Sequence, residues 1–197
     1  MTLRRLLKLL VFVLALALTA PLWVLAWLEK RTTHGEALFC FGAQACAIAP
    51  GPPGLWLRAA YYWATLDDCS WETHIGFGSL FTHRGAQVAA NVSTGAWCVL
   101  GHVRLGAGAR LASRVSVPSG KRQHLDGSGA LSGGTRFDTV TIGEGCWIGE
   151  AAVVLADVGA RSIVGAGAVV VHPQPGESLI SGNPATLLRN LPHGDGA

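Results

Sequence analysis

Residues 142–149 of this 197-residue chain are IGEGCWIG, in which isoleucine followed by glycine occurs twice, six positions apart. Pairs of an aliphatic residue and a small one recur at about this interval from residue 75 onward. They are Ile75-Gly76, Val88-Ala89, Leu100-Gly101, Leu105-Gly106, Leu111-Ala112, Ile142-Gly143, Ile148-Gly149, Val158-Gly159 and Val164-Gly165. Because neither the helix period of 3.6 nor strand alternation produces this spacing, it indicates a hexapeptide repeat.

The repeat predicts an all-β domain over residues 75–190, coiled into a parallel β-helix with three flat sides. The aliphatic residues would point inward, and the small residues after them would lie at corners, where glycine fits best. Twenty of the 26 glycines lie between Gly76 and Gly182, inside this region. Since coils stack at strand spacing of about 4.8 Å, four to five coils would form a prism about 20 to 24 Å tall.

The repeat is interrupted at residues 118–139, which contain no aliphatic anchor and are rich in glycine, serine and charge. We expect this segment to loop out of the coil. Long irregular excursions from a rigid scaffold are disproportionately functional. This one carries His124 beside Lys121, Arg122 and Asp126. The alternative is a flexible flap in which the histidine is incidental.

Composition excludes several classes of protein. Hydrophobic residues make up 50% of the chain and charged residues 14%, which excludes a disordered protein. The net charge is only +3 and the arginines are scattered, so we predict no nucleic-acid partner. Five cysteines without CxxC spacing argue against a disulfide framework, and no two histidines lie a few positions apart, so we predict no metal.

Residues 1–31 are expected to form a membrane anchor. Leu9 to Leu28 are uncharged, and twenty helical residues span about 30 Å. Basic residues flank this run, and Pro21 should bend the helix. The alternative is a cleaved signal peptide, because Ala15-Leu16-Ala17 resembles a small-x-small cleavage site.

Residues 32–74 are predicted to be an apolar, helical linker region, and residues 191–197 a polar tail. Ala37 to Pro50 are uncharged but too few to cross a bilayer upright, which favours a buried or re-entrant helix. Leu55 to Leu66 combine four aromatic residues with Arg58, as helices at a headgroup boundary do. An ordinary helix that caps the following domain is the alternative.

Together the hexads, the loop histidine, the IGEGCWIG run and the ending Gly182-Asn183-Pro184-Ala185 with Arg189 resemble the hexapeptide-repeat acyltransferase superfamily. The resemblance is greatest to its capsular and exopolysaccharide O-acetyltransferase branch. It implies a left-handed parallel β-helix, acetyl-CoA as donor, a homotrimer with active sites between neighbouring subunits, and a catalytic histidine on the loop.

Carried over residue by residue, the resemblance makes His124 the catalytic base. An imidazole suits this task, because a sugar hydroxyl must lose a proton near pH 7 while the thioester is already activated. The positions that match the donor site are Gly165, Ala166, Gly167, Gly182, Asn183, Pro184 and Arg189. Trp147 would either form a wall of the donor cleft or pack as a subunit contact.

The predicted function is therefore acetyl transfer from acetyl-CoA to a hydroxyl of a sugar or lipid-linked glycan precursor. Because acetyl-CoA is cytoplasmic, the catalytic domain should face the cytoplasm from the inner membrane. Two alternatives stay open. The first is an N- or O-acetyltransferase for a small soluble metabolite, such as an amino acid or amino sugar; the second is a non-catalytic β-helix scaffold at the membrane.

Overall fold

The computed structural model describes residues 2–120, 123–126, 128–131, 133–134 and 136–192. Lys121 and Arg122, which flank the loop histidine in the sequence, lie outside the described residues, as does the tail beyond Pro192. The helices are α1 (Leu3–Leu18), α2 (Ala20–Thr32), α3 (Ala37–Ala47) and α4 (Gly51–Thr65).

Short strands follow the helices. They are β1 (Asp68–Cys69), β2 (Leu80–Phe81), β3 (Gln87–Val88), β4 (Ser93–Thr94), β5 (Val99–Leu100), β6 (Val103–Leu105), β7 (Arg110–Leu111), β8 (Ser116–Val117), β9 (Val140–Ile142), β10 (Trp147–Ile148), β11 (Val153–Val154), β12 (Ile163–Val164), β13 (Val169–Val170), β14 (Ser178–Gly182) and β15 (Ala185–Asn190). Most have two residues because each side of a coil is short.

The strands form three sheets that the chain visits in turn. Sheet A has the order β1-β3-β6-β9, sheet B the order β4-β7-β10-β12-β14-β15, and sheet C the order β2-β5-β8-β11-β13. All described pairings between these strands are parallel except the final β14–β15 hairpin. One pass through A, B and C is one coil, so the predicted parallel β-helix is confirmed.

The inward positions of the coils are aliphatic and buried. Leu100, Leu105, Ile142 and Ile148 are all fully or almost fully buried. Gly143 shows why the next position is small: a Cβ atom there would lie 2.4 Å from the backbone nitrogen of Ala160 in the next coil. The hexad pattern therefore follows from the stacking of one coil directly on another.

The four helices, here called the helical cap (residues 3–65), cover the first coil. Helix α4 packs between α1 and α3, and its Tyr61 and Tyr62 are buried in a core that continues into the prism. The Tyr62 hydroxyl accepts a hydrogen bond from the backbone nitrogen of Phe81, at 3.1 Å, and Trp63 on the same helix is exposed. Helix α4 thus caps the prism, as one of the two interpretations of residues 55–66 expects.

A buried arginine ties the cap to the prism. The Arg58 guanidinium is 1% exposed and donates to the carbonyl oxygens of Ala49 and Ile75, both at 2.7 Å. It also donates to the carbonyls of Cys46 and Ala47 at the end of α3. The Cys46 and Ala47 carbonyls also accept from the backbone nitrogens of Ala49 and Gly78, so Arg58 adds to the hydrogen bonds at the end of α3 and joins them to Ile75 of the first coil.

The predicted bend in the helix over residues 9–28 is confirmed, and it divides the segment into two helices. Helices α1 and α2 meet at Thr19 with a bend of 62°, and Pro21 lies in the first turn of α2. The Thr19 hydroxyl and the Trp23 indole donate to the carbonyls of Ala15 and Leu16, which stabilises the break. Among the described helices none alone has the length and apolarity of a membrane span, whereas the bent α1–α2 pair does when taken together.

Candidate active site

The loop of residues 118–139 leaves the prism between β8 and β9, at the corner where sheet C passes to sheet A. Its two ends are joined there, because the backbone nitrogen of Asp138 donates to the Ser119 carbonyl at 3.0 Å. The buried Ser119 hydroxyl in turn accepts from the backbone nitrogen of His102, at 2.8 Å. The base of the loop is therefore held by the coil beneath it.

His124 lies exposed on a turn of this loop. The following turn is organised by Asp126, whose carboxylate accepts from the Ser128 hydroxyl and from the backbone nitrogens of Ser128 and Ala130. These hydrogen bonds, that of the Ser128 hydroxyl first, lower the pKa of Asp126. Within the described part of the chain, no side chain hydrogen-bonds to the His124 imidazole.

Two other histidines lie at the same corner. The rings of His83 and His102 stack at 4.7 Å between centroids, and Phe137 from the end of the loop packs on both. Glu36 from the cap contacts His83 Nδ1 at 2.6 Å. Burial first, and then the neighbouring His83, lowers the pKa of His102. We call Glu36, His83, His102 and Phe137 the corner cluster.

The contact of His83 and His102 beneath the loop was not predicted from the sequence. The spacing of the two histidines could have indicated their contact. They are nineteen positions apart, which is the same separation as that of Phe81 and Leu100, which pair between β2 and β5. Gly85 also leaves room for the His102 ring, because a Cβ atom there would lie 2.6 Å from it.

The predicted donor residues lie on sheet B or in the turns that follow its strands. Trp147 on β10 is exposed and lines a groove of about 700 Å³ together with Arg110, Arg161 and Ile163. Arg161 is paired with Glu144 and Glu177, whereas Arg110 has no ion pair among the described residues. Arg110 was not singled out in the sequence, because its neighbours Trp147 and Ser93 are adjacent only through the sheet.

Gly165, Ala166 and Gly167 form the corner from sheet B to sheet C, beside the end of the β14–β15 hairpin. The backbone nitrogen of Gly165 donates to Ile180, and a Cβ atom at Gly165 would lie 2.6 Å from the Ser181 hydroxyl. Gly182, Asn183 and Pro184 turn the hairpin at this point, and Arg189 is exposed on β15 opposite Leu179. The predicted donor residues are therefore contiguous, from the outer face of sheet B to its edge.

His124 and the donor residues do not share an edge of the prism. The loop leaves the corner between sheets C and A, the donor residues lie on sheet B and its corner with sheet C, and sheet C separates the two. Its outward residues are Leu80, Val99, Ser116, Val153 and Val169, mostly aliphatic, whereas those of sheet A are Asp68, Gln87, Arg104 and Thr141.

The cysteines of the coil are packing residues. Cys98 and Cys146 are buried, and burial raises the pKa of both thiols, which disfavours the reactive thiolate. In the described ranges no group of three histidine, cysteine, aspartate or glutamate residues is placed to hold a metal ion.

A scan of the sequence against known protein families finds no match. Solved structures do resemble the chain. A maltose O-acetyltransferase from Clostridium difficile 630 superposes with a TM-score of 0.70 at 17% identity, covering 80% of this chain and 87% of that one. AntD, an N-acyltransferase from Bacillus cereus, superposes with a TM-score of 0.51 at 15% identity, covering 64% and 73%. These likenesses, with the hexads, show that the chain has the left-handed β-helix fold of hexapeptide-repeat proteins.

Proposed function

We propose that this protein is a CoA-dependent O-acetyltransferase that acetylates a hydroxyl of a sugar or lipid-linked glycan precursor. The observation that carries the proposal is that the prism has a histidine-bearing loop at one corner and a contiguous surface of predicted donor residues at another. The likeness of the fold to that of a maltose O-acetyltransferase supports this choice.

In this proposal His124 acts as the general base. Its imidazole takes the proton of the acceptor hydroxyl as the oxygen attacks the thioester carbonyl carbon. The tetrahedral intermediate then collapses, the carbon–sulfur bond breaks, and the imidazolium gives its proton to the CoA thiolate. Products are the acetyl ester and free CoA thiol, and the histidine returns to its neutral form.

The groove over sheet B has the shape and charge expected for the CoA arm. Trp147 and Ile163 offer apolar surface to the pantetheine. At the corner of sheets B and C, a Cβ atom at Gly167 would meet nothing within 4 Å, so that corner is open to a ligand. Arg110 and Arg189 are the cations we assign to the phosphates, since guanidinium groups bind phosphate through paired hydrogen bonds.

A homotrimer would bring the two halves of the site together. Within one chain sheet C separates His124 from the donor residues, and the aliphatic outward face of sheet C suits contact with a second copy. In a cyclic assembly, the loop of one subunit would reach the donor surface of its neighbour.

We further propose that the helical cap binds the inner membrane and that the prism faces the cytoplasm, where acetyl-CoA is available. The support is the outer surface of α1, on which Leu3, Leu7, Leu10, Leu14 and Leu18 are all exposed. Monomeric soluble proteins rarely leave so many large apolar side chains together in water.

A second candidate function is N-acylation of an amino sugar. It is favoured by the likeness to AntD, whose structure is described in complex with dTDP-4-amino-4,6-dideoxyglucose and coenzyme A. An amine acceptor would still need a base, so the same loop histidine would serve it.

The test is thiol release from acetyl-CoA by the full chain purified in a neutral detergent. Acceptors are lipid-linked saccharides, free saccharides, amino sugars and amino acids. We expect release with the saccharides, and a loss of about 10²- to 10⁴-fold in His124→Ala. His172→Ala, at the same corner two coils further on, is the matched control and should keep full activity.

Each alternative gives a different result. Release only with amino sugars or amino acids would replace the O-acetyl proposal by one of the metabolite enzymes. No acetyl-CoA binding in calorimetry would leave the non-catalytic scaffold, and full activity of His124→Ala would remove His124 as the base.

A further inference from the structure

Two cavities lie end to end along α1, outside the proposed acetyl-transfer site. The first, of about 280 Å³, is apolar and lined by Val11, Leu14, Leu18 and Leu57, with Trp56 at its end. The second, of about 270 Å³, lies between the N-terminal half of α1, the start of α4 and the first coil. Trp56 lines both, so the two cavities meet at its side chain.

The second cavity has a mixed polar and apolar lining that carries both signs of charge. Its lining includes Lys8 from α1, Glu72 from the segment before β2, and the aromatic side chains of Trp56 and Trp71. Among the described residues neither Lys8 nor Glu72 has an ion-pair partner within 4.0 Å. A cation and a carboxylate are thus available in one pocket without neutralising each other.

We propose that this pair of cavities binds a zwitterionic membrane phospholipid with an amine in its head group. The acyl chain lies along Val11, Leu14 and Leu18, a distance of about 10 Å at the helical rise. The phosphate lies against Lys8, and the ammonium lies against Glu72 and the indole rings of Trp56 and Trp71, which attract cations through their faces.

The charge pattern favours this ligand over two others. An anionic phospholipid would satisfy Lys8 but would bring a second negative group toward Glu72. A glycan head group would satisfy Lys8 through its phosphate but carries no ammonium group for Glu72 and the indole rings. The exposed leucines of α1 beside the apolar cavity make the membrane the source of the lipid.

The packing around the cavities makes them a permanent feature of the fold. Phe12, one turn after Lys8, is buried and packs against Trp63 and Trp71, at 5.6 and 5.8 Å between ring centroids. These contacts hold α1 against α4 and the first coil, with the head-group cavity at one end. The site does not use the loop or the donor groove, so it is independent of acetyl transfer.

The test is lipid binding by the full chain in a neutral detergent, measured by native mass spectrometry. The probes are phosphatidylethanolamine and phosphatidylglycerol with identical acyl chains. We expect the ethanolamine lipid to bind about five-fold more tightly, in line with the effect of one charge near a lipid head group. Glu72→Gln should abolish this preference, and Lys8→Gln should weaken both lipids about five-fold.

Matched variants separate the site from general attraction to lipid. Arg5→Gln changes an exposed charge on α1 outside the cavity, and Asp68→Asn an exposed carboxylate near Glu72 in sequence. Leu14 and Leu10 are 61% and 59% exposed on the same helix, but only Leu14 lines the apolar cavity. Leu14→Glu should therefore weaken both lipids more than Leu10→Glu does.

Equal binding of the two lipids by the unaltered protein, or equal losses in a variant and its matched control, would overturn the proposal. Each variant is checked for folding by thermal unfolding, and its acetyl transfer to a water-soluble acceptor should be unchanged. If the unaltered protein shows no acetyl transfer, that result would count against the proposed function and not against the lipid site.

Discussion

The helical cap and the β-helix place their apolar side chains in opposite environments. In the prism the aliphatic anchors of the hexads point inward and are buried, as Leu100 and Ile148 are. In the cap, many leucines of α1 point outward, and the buried positions include the polar Arg58 and Thr19. One region therefore buries a regular aliphatic core, and the other combines an apolar surface with buried hydrogen bonds.

This difference shows that two kinds of force hold the chain together. The prism depends on repeated backbone pairing and close stacking, so each coil resembles the next. The cap depends on a few long-range polar contacts, such as the ion pair of Arg84 with Glu29, which are 55 residues apart and both buried. A change in the cap should therefore act through single contacts, and one in the prism through packing.

The largest effect on stability is expected for Arg58→Met. The variant keeps the length of the side chain but leaves buried carbonyls such as those of Ala49 and Ile75 without a donor. The free energy of unfolding should fall by about 3 to 5 kcal/mol. Urea unfolding in a neutral detergent, followed by circular dichroism, measures it. Arg31→Met, an exposed change in the same cap, should cost less than about 1 kcal/mol. A similar loss in both variants would refute the role of Arg58 as a link between cap and prism.

A smaller effect is expected for Gly143→Ala in the prism. The added methyl group would lie 2.4 Å from the backbone nitrogen of Ala160, so two coils would have to separate. We expect a loss of about 1 to 3 kcal/mol in the same unfolding measurement. Gly133→Ala, in the loop where a Cβ atom meets nothing within 4 Å, is the control and should change stability by less than about 0.5 kcal/mol. Equal effects at the two glycines would mean that coil stacking is not tight.

The outward face of sheet C should control self-association. Val99→Glu places a charge at a valine that is 45% exposed in the single chain, and we expect subunit association to weaken by at least about 1.5 kcal/mol for each copy. Light scattering coupled to gel filtration should show trimers turning into monomers. Thr141→Glu, on the outward face of sheet A beside Arg104, should leave the assembly intact. If it dissociates the assembly instead, the subunits meet through sheet A.

The smallest effect concerns pH. Because burial and His83 lower the pKa of His102 in the folded chain, the unfolded chain binds more protons as pH falls below about 6.5. Stability should therefore decrease on acidification through this range. His102→Gln should flatten the dependence of the melting temperature on pH between about 7.5 and 5.5. His172→Gln, exposed at the same corner, should keep it, and an unchanged slope in His102→Gln would contradict the role of this ring.

Much of the prism was predictable from the sequence because its contacts repeat. The six-residue spacing is local, so the position of an anchor such as Ile142 also indicates which way it points. The loop at residues 118–139 was predictable for the same reason, as an interruption of the repeat. The contiguity of Gly165 with the Gly182 turn follows from the same stacking, although the sequence indicated it only through a family resemblance.

The cap and the corner cluster were less predictable because their contacts have no period. The 62° bend between α1 and α2 was predictable from Pro21, but the side chains of Thr19 and Trp23, which donate to carbonyls of α1 at the bend, were not. Glu36 reaches His83 across 47 positions of sequence. Nothing local to either residue indicates that contact.

The sequence by itself therefore determined the three-sided coil, its corners and the place of its excursion, because a repeat specifies the surroundings of each of its members. Only the tertiary structure decided how the helices cover the first coil, which histidines meet beneath the loop, and where Lys8, Glu72 and Trp56 converge. These arrangements result from contacts between segments far apart in the chain, which arise only when the helices and coils pack against one another.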